Sequence, residues 1–117
     1  MREFDFDVPK YRRPSTPGEI LRGLFLDEPT FGFTQKQVVD RLGISPQSFN
    51  AILTGKRAVT PLMAMRLQRV IGVDARLWLN LQQDVDIYDA LQTPEAKKIA
   101  KIKPLRPRKK IKRSRAA

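Results

Sequence analysis

Apolar residues return along this chain at three- and four-residue intervals, in short blocks punctuated by Pro, Gly, Ser and Thr. That period marks amphipathic helices. Ile20, Leu21, Leu24 and Phe25 form the first stripe. Thr16 caps it, Pro17 takes the first turn and Glu19 completes a capping box. This helix ends before Pro29, and Phe31 and Phe33 in the loop beyond are expected to close the core. Thr34, with Gln37 three residues on, opens a second helix whose stripe is Val38, Val39 and Leu42. Gly43 ends it, because glycine reaches the left-handed conformation without a Cβ clash. Ser45 and Pro46 open a third helix with Phe49, Ile52 and Leu53 inward, stopped by Gly55. Thr60 and Pro61 open a fourth, carrying Met63, Ala64, Leu67, Val70 and Ile71 as far as Gly72. Asp74 caps a longer fifth helix, whose broad apolar face holds Trp78, Leu81, Val85 and Tyr88 with Leu77 and Leu91.

The fold class is therefore all-α, with helices filling residues 16–92. Two segments flank them. In residues 1–15, Phe4, Phe6 and Val8 alternate with Glu3, Asp5 and Asp7, a period-2 pattern that suits a half-buried strand, with a disordered arm as the alternative. Residues 93–117 begin with one more short helical candidate, Ala96, Ile99 and Ile102, closed by Pro104. The remainder, LRPRKKIKRSRAA, cannot bury a core and is expected to be disordered alone.

The segment Thr34 to Arg57 has a chemical meaning beyond packing. Two short helices joined by a tight glycine turn place the second helix in the major groove of DNA. Gln47, Ser48, Asn50, Ala51 and Thr54 point outward from that second helix. Gln47 is the best base reader, since an amide bonds adenine N6 and N7 together. Thr34, Gln35 and Ser45 stand at helix starts where backbone N–H groups meet phosphate, and Lys56 and Arg57 follow the second helix as cations. An ordinary helical hairpin is the structural alternative.

Charge refines this picture. The net +11 of the 117-residue chain is carried by its end: Pro94 to Ala117 holds eleven Lys or Arg and one acid, Glu95. Met1 to Thr93 holds twelve basic and eleven acidic residues. Within that body Thr34 to Arg76 is net +5, whereas Asp84, Asp86 and Asp89 make the next stretch acidic. One side is thus suited to phosphate, and the basic tail adds affinity without sequence information. Helical Lys97 to Lys103 lying along Asp84, Asp86 and Asp89 is the competing use of those cations. Cysteine and histidine are absent, which removes disulfides, zinc sites and most nucleophile–base pairs. No cofactor or metal is expected. No apolar run is long enough to cross a membrane, and the first residues lack the apolar stretch of a signal peptide.

Taken together, PGEILR at Pro17 to Arg22, the paired helices, TGKRAVTPLMAMRL at Thr54 to Leu67 and RLWLNLQQDVDIYDA at Arg76 to Ala90 resemble the HigA-type antitoxins. These are helix-turn-helix repressors of the xenobiotic-response-element family, the virulence-associated protein I group among them. The resemblance implies a five-helix, lambda-repressor-like domain that binds operator DNA as a homodimer and represses its own promoter. It implies a partner toxin, HigB, an mRNA endonuclease of the RelE type, a cytoplasmic setting, and no catalytic activity in the antitoxin. A stand-alone regulator with the same fold and no toxin is the alternative. Trp78, Leu81, Val85 and Tyr88 are the expected dimer contacts. Acidic candidates for the toxin contact are Glu3, Asp5 and Asp7 on the arm, with Asp27 and Glu28 after the first helix. The chain departs from the family at Pro46 and Ala51, where long polar or basic side chains are usual and here neither side chain can donate. Direct readout then falls on Gln47, Ser48 and Asn50.

Overall fold

The computed structural model describes residues 12–106. Their helices are α1 (Pro17–Leu21), running directly into a π-helical turn (Arg22–Leu26), then α2 (Gln35–Leu42), α3 (Pro46–Leu53), α4 (Pro61–Ile71), α5 (Ala75–Leu91) and α6 (Pro94–Ala100). The strand expected in the arm and the basic run after Pro107 lie outside the described residues.

Side chains close the helix starts as the sequence predicts. Thr16 Oγ1 accepts the Glu19 N–H while Glu19 accepts the Thr16 N–H, and Thr34 and Gln37 repeat the arrangement. Ser45 accepts from Ser48 N, Thr60 from Met63 N and Asp74 from Arg76 N. Gly43 at φ 72° and Gly72 at φ 90° end α2 and α4 in the left-handed region. Arg66 of α4 adds a second closure, its Nη1 donating to the Leu42 carbonyl at 2.6 Å. One of the cations counted toward the basic face thus binds the end of α2.

Leu21, Leu42, Phe49, Leu67 and Trp78 are the largest side chains fully withdrawn from solvent, and one apolar cluster contains them all. α1 packs on α3 and α5, α2 on α3 and α4, and α4 on α5. Gly18 is the hinge of the α1–α3 contact. A Cβ there would lie 2.2 Å from the Ile52 carbonyl oxygen and 2.7 Å from that of Leu53, so only glycine lets the two backbones meet.

The first helix departs from the α-helical spacing. Asp27 N–H reaches back five residues to Arg22 O at 2.8 Å, and the wider turn rotates the following side chains. Leu24, expected inward, is 61% exposed, while Phe25 and Leu26 pack on the core. Phe31 does close the core, edge-on to Phe25 at 6.1 Å, but Phe33 stands outside it, 60% exposed and edge-on to Phe31.

α5 divides its side chains more sharply than its composition suggests. Trp78 and Val85 are buried within the protomer, with the Trp78 ring 6.1 Å from that of Phe25. Neither has surface left for a second molecule, which corrects the expectation that both contact a symmetry mate. Leu81 and Tyr88 are half-buried and Leu77 is exposed, so the outward stripe is Leu77, Leu81 and Tyr88.

The chain before α1 is tied down at Arg13, whose Nε and Nη2 donate to the two Asp89 carboxylate oxygens, each at 2.9 Å. This bidentate bond holds the Asp89 carboxyl below its usual range and raises the guanidinium. Lys97 and Lys98 make no ion pair with Asp84, Asp86 or Asp89 among the described residues; Lys98 instead meets Glu95 at 3.6 Å. α6 packs on α5 with Ala96 buried, so the helical domain extends past residue 92 and the tail begins later than its composition implies.

Candidate nucleic-acid interface

α2 and α3 meet across Gly43, with Ile44 packed on the core at the corner and Val38, Val39, Leu42, Phe49, Ile52 and Leu53 buried beneath. Burying those positions fixes which side of α3 faces out. Pro46, Gln47 and Asn50 are exposed, whereas Ser48 and Ala51 are half-buried. The Gln47 and Asn50 side chains make no hydrogen bond among the described residues, so their amides are presented to solvent. Thr34 and Gln35 form a separate station at the start of α2, with the Thr34 hydroxyl accepting from Gln37 N at 3.1 Å.

Ser45 and Ser48 are engaged with each other and with the loop after α3. Ser45 Oγ donates to Ser48 Oγ at 2.9 Å and accepts the Ser48 N–H at 3.0 Å. Arg57 Nη1 donates to Ser48 Oγ at 3.0 Å. The turn makes this possible: Gly55 takes φ 78°, and the chain folds back so that Lys56 and Arg57 both donate their N–H groups to the Ala51 carbonyl, at 2.9 and 3.1 Å. Both cations thereby stand at the surface beside α3. The structure thus joins Ser45, Ser48 and Arg57 in one cluster and leaves Gln47, Asn50 and Lys56 outside it. Nothing periodic in the sequence announces the Arg57–Ser48 bond, because it depends on how the Gly55 turn doubles back.

The arrangement offers hydrogen-bond donors, acceptors and positive charge, with nothing suited to covalent chemistry. Among the described residues no group of three or more His, Cys, Asp or Glu could hold a metal ion, and no helix is long and apolar enough to cross a membrane.

Known proteins agree with this geometry. A helix-turn-helix family profile matches residues 30–83, from the loop before α2 into α5. Virulence-associated protein I of Dichelobacter nodosus is 36% identical over 80 residues, 68% of this chain and 72% of that protein. The Pseudomonas aeruginosa antitoxin HigA, solved with the higBA promoter, superposes with a TM-score of 0.69 at 32% identity, covering 80% of this chain and 99% of the other. The chain belongs to the HigA-type helix-turn-helix antitoxins. Antitoxin GraA in complex with its operator is similar to the same extent, with a TM-score of 0.68 and 32% identity over 84% of this chain and 97% of GraA. Five of the six helices lie within the frame expected of this family; α6 is the addition.

Proposed function

We propose that this protein is a cytoplasmic, non-enzymatic antitoxin that binds its own operator as a homodimer and neutralises a HigB/RelE-type toxin. The observation that carries the DNA half is the outward face of α3. Gln47 and Asn50 present free amides there, on a scaffold shared over nearly their whole length with antitoxins solved on promoter and operator DNA. Gln47 reads bases in this account, Asn50 assists, and Thr34, Gln35, Ser45, Lys56 and Arg57 anchor phosphates at helix starts and along the turn. Phosphate contacts fix the register of α3, and base contacts choose the site.

Dimerisation is assigned to the outward stripe of α5, Leu77, Leu81 and Tyr88. Self-association over a two-fold axis would space two α3 helices on successive major-groove faces, about 34 Å apart. The toxin half rests on kinship with HigA proteins and on no single side chain. The experiment for the toxin half is co-expression with the product of the adjoining gene. The account expects that product to arrest growth alone, to be harmless with this chain, and to co-purify with it. A neighbour that is harmless alone and does not co-purify would leave a DNA-binding regulator without a toxin.

A further inference from the structure

The base-reading face of α3 is short of donors at positions 46 and 51, yet the structure brings an arginine onto it from outside the helix. Arg57 starts beside Ala51, its N–H on the Ala51 carbonyl, and its guanidinium ends on Ser48, three residues nearer the start of α3. Residues three apart share a helix face. The Arg57 side chain therefore runs back along the face that carries Ala51, where a long residue would stand in its way. Ser48 Oγ has both lone pairs occupied, by Arg57 and by the Ser45 hydroxyl, so it holds the guanidinium in place while retaining only one hydrogen of its own to offer. The other guanidinium N–H groups make no hydrogen bond among the described residues.

We propose that Arg57 is a base reader, replacing in space the long side chain missing at Ala51 and donating to guanine O6 and N7 in the major groove. Ser45 and Ser48 are its positioning residues. The proposal rests on the DNA-binding reading above and changes Arg57 from a phosphate anchor into a determinant of specificity. An arginine fork suits guanine because two parallel N–H groups meet its two acceptors.

The test titrates the full chain against its upstream duplex, against a random duplex, and against duplexes with each base pair of the bound site changed singly. Arg57→Ala is expected to lose about 5- to 150-fold on the native site and to flatten the preference at one G·C pair in each half-site. Its affinity for random DNA falls only as far as loss of one cation requires, with a salt slope lower by about one. Ser48→Ala flattens the same pair in part and changes nothing further when Arg57 is already alanine. Arg57 is exposed, and an unchanged thermal midpoint shows that the variant reports binding and not unfolding. Equal weakening on native and random duplexes, with every base preference intact, overturns the proposal and leaves DNA binding standing. A wild-type chain with no base preference overturns both.

Discussion

A methyl group is the smallest addition a side chain can make, and at Gly18 there is no room for it. Gly18→Ala would push α1 off the carbonyls of Ile52 and Leu53, which belong to backbone and cannot swing aside. The expected cost is about 1–3 kcal/mol, the range for overpacking a closed interior, read as a lower urea midpoint at unchanged slope. Wild-type stability in this variant would mean that α1 and α3 sit farther apart. The reason for this glycine lies far along the chain, so the sequence shows only a helix that tolerates one. Thr16 with Glu19 and Thr34 with Gln37 were legible from sequence, because both partners lie within one turn. Ser48 and Arg57 fall between these cases: each was picked out as a candidate, but their bond depends on the Gly55 turn.

At the scale of elements, hydrophobic period located every helix and mis-set two faces. In the first helix the π-helical turn inserts a residue into the repeat, so Leu24 swings outward although its spacing reads as inward. In α5 the apolar residues are too many for one face, and only packing sorts Trp78 and Val85 from Leu77, Leu81 and Tyr88. Trp78→Ala should cost about 3–5 kcal/mol, as for other large aromatic truncations in a core, measured by chemical denaturation. A loss below about 1 kcal/mol, with altered self-association, would return Trp78 to the surface. The outward stripe makes the complementary prediction. Replacing Leu77 and Tyr88 together by Asp should leave a folded monomer in analytical ultracentrifugation at concentrations where the wild type is dimeric. A variant that stays dimeric would move the interface off α5.

For the whole molecule, charge and specificity come from different places. The charge excess belongs to the end of the chain, whereas the residues that choose a sequence sit in a body that is nearly neutral overall. Deleting residues 105–117 should therefore flatten the dependence of log K on log salt by several units, up to about five if six cations meet phosphates, and leave the thermal midpoint unchanged. An identical slope would show that the tail never reaches the DNA. The central claim is that α3 selects an operator, and one binding measurement addresses it. At fixed salt, the full chain should prefer a duplex carrying its own upstream region over a scrambled duplex by about 10³-fold or more. Gln47→Ala should erase about 5- to 150-fold of that preference while holding its affinity for the scrambled duplex. Equal affinity of the wild type for the two duplexes would contradict the account.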